Sequence, residues 1–391
     1  MFLVVLGAVL GLMHLYLWNR LVRDTTRPGR LRWILTAVLI ALAVLLTAAL
    51  VLPRIVGPDD TRWVAWPGYL WFGLAAYLFL TSLMLEPVRL IARRWVRRAS
   101  AETETGPQPT TLNRRLFLAR TTAAAAGAAS VGLVGFGTAT AVGPPDLLRV
   151  PVRLRGLGRA FDGYRIAVVS DIHLGPLSGR AHTERIVEMI NETTPDLVAI
   201  VGDVVDGTVA ELGPAAEPLA DLVARDGTFF VTGNHEYFVD DPFEWLRELQ
   251  RLGAIPLRNE GTKIRRGAAV VNLAGVNDLA GESHSDAPDF DAALADLDVA
   301  GPTILLAHQP VMVAEAAARG VDLQLSGHTH GGQMWPFHHL VRAAQPSLAG
   351  LSMVDDTALY VTRGAGFWGP PVRVGAPPDI SVLTLHSESP S

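Results

Sequence analysis

The sequence predicts an α/β domain preceded by an N-terminal bundle of about four transmembrane helices. Three observations carry this reading. The first 142 residues hold four apolar runs, at about 2–18, 33–52, 66–85 and 121–142. From about Leu148 onward, short apolar, β-rich runs alternate with helical stretches. Charge divides with the chain: residues 1–120 carry 15 Arg against 6 acidic residues, a net of +9, whereas residues 121–391 carry a net of −14.

Each apolar run approaches the ~20 residues needed to cross a hydrocarbon core of ~30 Å. The first is short, but it lacks the basic stretch before it and the small-residue cleavage site after it that mark a signal peptide. His14 within it reads as an interior or interfacial residue. Loop charge sets the expected orientation. Segment 19–32 carries Arg20, Arg23, Arg27, Arg30 and Arg32; segment 53–65 balances Arg54 and Arg62 against Asp59 and Asp60; segment 86–120 carries eight arginines. Basic loops in the cytoplasm put the N-terminus and everything after Val142 outside. Trp18, Trp33, Trp66 and Trp71 near the run ends fit an aromatic belt. Arg114-Arg115 in "TTLNRRLFLAR" resembles a twin-arginine export signal. An ordinary positive-inside anchor explains the same charges, and retention as an anchor is expected even though "ATA" at 139–141 resembles a cleavage site. Residues 101–111 read as a polar, Pro-containing linker. The expected division is a transmembrane region over 1–143 and an α/β domain over 148–386.

Within that domain, strands are expected at 164–170, 196–202, 228–233, 269–276, 303–308, 359–362 and 380–385, and helices at 182–193 and 241–253. The residues just beyond the strand ends carry the chemistry. After the first come Asp171 and His173; after the second, Asp203 and Asp206; after the third, Asn234, His235 and Glu236; after "TILLA", His308; after "LQLS", His328 and His330 in "GHTHGGQ". Strand ends are where ligand sites gather in α/β sheets. With no cysteine in the chain, disulfides, thiolate sites and a Cys nucleophile are excluded. Imidazole and carboxylate together suit Mn, Zn, Fe or Co. The one-residue spacing of Asp171/His173 and of His328/His330 places each pair on one face if those residues are in strand. Asp171, His173, Asp203, Asn234, His308, His328 and His330 are too many for one ion and suit two that share a carboxylate. Two ions ~3.5–4 Å apart activate a water and clamp an in-line displacement. The glycines beside His328 and His330 are expected to give the loop room to turn and to admit an anionic substrate.

The order "SDIHLG … GDVVDG … GNHEYF … AHQP … GHTHGGQ" resembles the calcineurin-like metallophosphoesterases, in particular a bacterial membrane-associated subgroup ending in GHTHGGQ. The resemblance covers about residues 148–386. It implies two mixed β-sheets flanked by helices, a four-layer sandwich. It implies one metal held by Asp171, His173, Asp203 and His330, and a second held by Asp203, Asn234, His308 and His328. His235 would face substrate, stabilising the transition state or protonating the leaving oxygen, while a bridging hydroxide attacks phosphorus. The alternative for His235 is a purely structural bond. Asp206 reads as orienting a ligand imidazole or capping the next turn, and Glu236 as a structural hydrogen-bonder as readily as anything else. Arg363 and Arg373 are candidates for phosphate contact. His338 and His339 read as loop residues, and His182, His284 and His386 have no identifiable partners. Trp335, Phe337, Phe367 and Trp368 read as core, with a substrate groove or a membrane-facing edge as the alternative.

The expected protein is a multi-pass membrane phosphoesterase with its domain on the extracytoplasmic side. It would cleave phosphate diesters ahead of monoesters, with a lipid-linked or envelope ester as substrate. Two other readings stay open: a nucleotide phosphodiesterase or nuclease, which the −14 balance opposes because nucleic acid calls for a basic surface, and a non-catalytic metal-binding scaffold.

Overall fold

The computed structural model describes residues 2–101, 109–239 and 241–388. The chain divides into two compact units, Met1–Val56 with Asp60–Thr138, and Gly57–Asp59 with Ala139–Ser391.

In the first unit α1 (Phe2–Leu17) runs into a π-helical turn at Trp18–Arg23. Beyond it come α2 (Arg30–Val51), the short α3 (Pro53–Val56), α4 (Pro58–Met84), α5 (Glu86–Ala101) and α6 (Pro109–Val142). Four stretches are long and apolar enough to cross a membrane: Val5–Arg23, Arg30–Val51, Asp60–Met84 and Arg114–Val142. Their large apolar residues, among them Leu12, Ile40, Val44 and Phe136, face outward, which suits helices able to cross a membrane. The inner faces are tied by polar contacts. His14 Nε2 accepts from Trp71 Nε1 at 3.1 Å, and Thr81 and Ser130 hydroxyls meet at 3.0 Å. Arg20 pairs with Glu86 at 2.7 Å and with Asp24 at 3.0 Å, and Arg89 pairs with Asp24 at 2.9 Å. Two positive and two negative groups thereby neutralise one another where isolated charges are costly. The basic segment expected as loop is largely helical: Arg89, Arg93, Arg94, Arg97 and Arg98 lie on α5, and Arg114, Arg115 and Arg120 on α6. Residues 102–108 of the expected linker lie outside the described residues.

The second unit begins with β1 (Asp146–Leu154), β2 (Tyr164–Val169), α7 (Arg180–Glu192), β3 (Leu197–Val201), α8 (Val209–Ala216), β4 (Thr228–Val231), α9 (Pro242–Arg251) and β5 (Ala254–Pro256). It continues through β6 (Glu260–Arg266), β7 (Ala269–Gly275), α10 (Phe290–Leu294), β8 (Thr303–Leu306), α11 (Val313–Ala318), β9 (Leu323–Ser326), α12 (His338–Ala344), β10 (Gly350–Val354), β11 (Thr357–Val361) and β12 (Asp379–Ser387). Two six-stranded sheets result, ordered β1-β12-β2-β3-β4-β5 and β10-β11-β9-β8-β7-β6. Both are mixed: β2 to β5 run parallel while β12 opposes β2, and β7, β8, β9 and β11 run parallel while β6 and β10 oppose their neighbours.

Ile166, Val168, Ala199 and Val201 of the first sheet pack on Leu273, Ile304, Leu306 and Leu325 of the second. Ile186 and Ile190 of α7, Leu212 of α8, and Trp245 and Leu249 of α9 cover the first sheet's other face. Phe290 and Ala293 of α10 and Ala316 of α11 cover the second's. The layers are therefore helix, sheet, sheet, helix. Central strands buried on both faces explain the unbroken apolar runs "IAVV" and "LVAIV". Edge strands lack that signal. β6 reads "EGTKIRR", with Ile264 as its one buried side chain, and its sequence does not announce a strand. The same holds for β1, β5 and β10. His338 and His339 lie on α12 rather than in a loop, with ring centroids 3.9 Å apart.

Candidate metal centre

The C-terminal ends of β2, β3, β4, β8 and β9 converge, and each turn beyond them delivers its polar residues to one place. The delivery does not obey strand geometry. β2 ends at Val169 and β9 at Ser326, so Asp171/His173 and His328/His330 lie past the strands and are not aligned by period-two alternation. They converge because the backbone turns left-handed. Asp171, His173, Asp203, His328 and His330 have φ of 52°, 49°, 54°, 70° and 51°. That is half of the ten such non-glycine residues among those described. Strain of this kind persists only where the surrounding structure imposes it, and it clusters at functional sites.

The imposing contacts are visible. Asp171 is fully buried; it accepts from Ser170 Oγ at 2.6 Å and from the His328 N–H at 3.0 Å. Asp203 Oδ1 accepts from the His235 N–H at 2.9 Å. Glu236, fully buried, accepts from the N–H groups of Asp203, Val204 and Gly233 at 3.0, 2.7 and 2.6 Å. One carboxylate thus straps the turns after β3 and β4 together, and burial with the nearby Asp203 charge raises its pKa to about 7. Glu236→Gln turns one acceptor into a donor facing N–H groups. It is expected to cost about 1–3 kcal/mol in chemical denaturation and to loosen metal binding, measured by chelator competition. The glycines also serve this packing. A Cβ at Gly327 would collide with Ser170 Oγ and Asp171 Oδ2, and one at Gly332 with His338.

Three overlapping groups have ligand atoms within 4.8 Å of one another: Asp171/His173/His330, His173/Asp203/His235 and Asp203/His308/His328. Asp203 Oδ2 lies 3.2 Å from His308 Nε2, 3.8 Å from His173 Nε2 and 4.0 Å from His235 Nε2. Asn234 Oδ1 lies 2.9 Å from His328 Nδ1. His330 Nε2 lies 3.3 Å from Asp171 Oδ1 and 3.0 Å from His173 Nε2. The seven predicted ligands are brought together.

Hydrogen bonding tests whether this set suits cations. His308 Nδ1 donates to the Val201 carbonyl at 2.7 Å, and His173 Nδ1 to Asp206 Oδ1 at 3.0 Å. Each bond fixes a tautomer that turns a bare Nε2 inward. Those nitrogens meet carboxylate oxygens of Asp203 and Asp171, also acceptors. His308 Nε2, fully buried, has no hydrogen-bond donor. Something positive belongs between them, and the donor set fits divalent cations.

Asp206 carries a second imidazole. Its Oδ1 meets His235 Nδ1 at 2.6 Å as well as His173. Although burial favours its acid form, the two histidines hold the carboxyl well below the usual range. Burial lowers the His235 pKa, but Asp206 and then Asp203 outweigh it and raise it to about 9. His235 is thereby turned by Asp206 and is only 12% exposed.

The two arginines are committed to the fold. Arg373 is fully buried and donates to the carbonyls of His330, Arg363 and Gly366. Its guanidinium lies 3.1 Å from His330 Nδ1, backing that imidazole. Arg363 pairs with Asp379 at 2.7 Å. His182 Nε2 is buried without a partner, while His284 meets Ser283 and His386 meets Asp162. Of the four aromatics read as core, only Phe367 is buried; Trp335, Phe337 and Trp368 are exposed. Ser170, Phe238 and Gln333 also belong to this region and carry no signal of it in the sequence, although Gln333 ends the GHTHGGQ motif.

The model of the calcineurin-like phosphoesterase family matches residues 164–332. A zebrafish "Transmembrane protein with metallophosphoesterase domain" is 38% identical over 262 residues, 65% of this chain and 60% of that protein. Uncharacterized metallophosphoesterases of Campylobacter jejuni and Aquifex aeolicus are 34% and 33% identical, over 66% and 57% of this chain and 68% and 85% of theirs. The chain belongs to the calcineurin-like phosphoesterases, a family of dinuclear metal hydrolases of phosphoric esters. It spans about 60% of the zebrafish relative's own length.

Proposed function

We propose that the protein is a multi-pass membrane phosphoesterase whose catalytic domain, residues 148–386, lies on the extracytoplasmic side and cleaves diesters ahead of monoesters. The observation that carries the catalytic reading is the convergence of seven acceptor groups beside the Asp206-held His235. Asp171, His173, Asp203 and His330 would hold one ion, and Asp203, Asn234, His308 and His328 the other. Bound there, two divalent ions would supply Lewis acidity to the phosphoryl oxygens and activate a water. The chain's own part is to fix the imidazoles through Asp206 and the Val201 carbonyl, to keep Asp203 between the two groups, and to give a proton from His235 Nε2 to the departing oxygen.

Full-length protein in detergent is expected to hydrolyse bis-p-nitrophenyl phosphate faster than p-nitrophenyl phosphate when Mn or Zn is added, and neither ester after chelation. A folded protein that holds two ions yet turns over no ester would favour the scaffold reading.

The orientation rests on the arginines at 19–32 and 86–120 against the balanced loop at 53–65. Arg114-Arg115 opens the fourth span as a retained anchor. A lipid-linked or envelope ester is the substrate class this location favours. With no native cysteine, single substitutions report topology directly. Ser283→Cys is expected to react with a membrane-impermeant maleimide on intact cells, and Arg27→Cys only after lysis. The reverse pattern would invert the orientation.

A further inference from the structure

Two aromatic rings stand beside His235. The Phe238 ring lies 4.9 Å from the imidazole, centroid to centroid, and the Trp368 indole 5.8 Å from it, edge-on. They come from distant parts of the chain. Phe238 ends the 3₁₀ turn His235–Phe238 after β4, and Trp368 sits in the loop between β11 and β12. Both are open to solvent, at 68% and 54% exposure. Neither ring is spent on the core, although burying it would have been favourable.

The backbone that carries the indole is nevertheless held in place. Gln333 Nε2 donates to the Trp368 carbonyl at 2.8 Å and to the Pro370 carbonyl at 3.2 Å, and Gln333 Oε1 accepts from the Trp368 N–H at 3.0 Å. Gln333 makes these bonds from φ 46°, ψ −58°, a region that a residue with a side chain rarely adopts. It lies three residues after His330, so the turn that delivers a candidate metal ligand also fixes the backbone from which an exposed indole projects. Local strain retained to position a solvent-facing ring points to a ligand for that ring.

We propose that Phe238 and Trp368 clasp an apolar, ring-bearing alcohol portion of the phosphate ester, with Gln333 as the positioning residue for Trp368. The proposal rests on His235 as the group facing the leaving oxygen. That oxygen must come within ~2.6–3.2 Å of the imidazole, and the carbon skeleton attached to it then comes within aromatic contact range of two rings whose centroids lie 4.9 and 5.8 Å from that imidazole. The ligand is thereby defined by chemistry: an ester of an alcohol with an aromatic or extended apolar group near its oxygen, not of a small hydrophilic one.

The test separates this clasp from catalysis. Binding of 2-phenylethylphosphonate and of ethylphosphonate to the full-length, Mn-loaded protein in detergent is measured by calorimetry. Wild type is expected to favour the aryl compound about tenfold. Trp368→Ala and Phe238→Ala should each remove most of that preference while changing ethylphosphonate affinity less than twofold. Gln333→Ala should behave as Trp368→Ala, and Gln333→Asn should not restore the preference, because the shorter amide cannot span both carbonyls. Equal affinity of wild type for the two compounds, or equal weakening of both in the variants, overturns the clasp. Turnover of the matching 2-phenylethyl and ethyl phosphate esters tests the underlying reading separately. An aryl preference in binding without any turnover keeps the clasp and removes the esterase; turnover with no aryl preference in binding removes the clasp alone.

Discussion

Asp203→Ala is expected to lower bound metal from two ions per chain to fewer than one and to cut kcat/KM by on the order of 10³-fold or more. The reason lies in where its two oxygens point. Oδ1 is held by the His235 N–H, so the carboxylate cannot swing away. Oδ2 is then left at 3.2, 3.8 and 4.0 Å from the inner nitrogens of His308, His173 and His235. In the proposed assignment it is the oxygen that both ion positions share. Without it, each position loses a ligand and the negative charge between the two cations disappears. Asp206→Asn is the control. It keeps all seven ligands and disturbs only the proton on His173 Nδ1 and the hold on His235. A change of this outer kind typically costs 10–100-fold and should leave metal content near two. Mass-spectrometric metal analysis alongside kinetics separates the cases, and a fully loaded Asp203→Ala protein would show that Asp203 does not bridge.

The candidate ligands were legible because each comes after an apolar run that cannot be anything but a buried strand. "YRIAVVSDIH" and "LVAIVGDVVD" announce both the strand and the residue at its end. What brings Asp171 beside His173 was not legible. Period-two alternation supplied a plausible reason and the wrong one, since five left-handed residues do the turning. No periodicity encodes them, and His and Asp merely tolerate that conformation better than most. Glu236 shows a similar limit. Its carboxylate accepts three N–H groups from two turns, a role that exists only once β3 and β4 lie side by side. Trp368 was read as core with a substrate groove as the alternative, and only the folded chain shows it facing water beside His235; Phe238, in the polar stretch GNHEYFVDD, gave no sign of either. The edge strands β1 and β6 hide because one face is solvated and charged. α5 hides because its arginines read equally well as loop.

His235→Ala should leave both ions in place, because all seven proposed ligands remain. Its effect should instead depend on the alcohol being expelled. A protonated imidazole held by Asp206 matters most when the departing oxygen cannot bear a negative charge. An alkoxide needs the proton, and positioned proton transfer contributes about 10²–10⁴-fold. p-Nitrophenolate is stable without one, so its release should slow far less. Across a series of diesters graded by alcohol acidity, rates for the variant should therefore fall more steeply as the alcohol becomes less acidic, while wild-type rates change little. A uniform loss across the series would mean that His235 acts on the phosphoryl charge rather than on the leaving oxygen. Loss of metal with loss of rate would mean that His235, which falls in one of the three ligand groups with His173 and Asp203, belongs to the centre itself. The slope and the metal content together thus assign His235 one of three distinct tasks, each of which its position beside Asp203 and Asp206 permits.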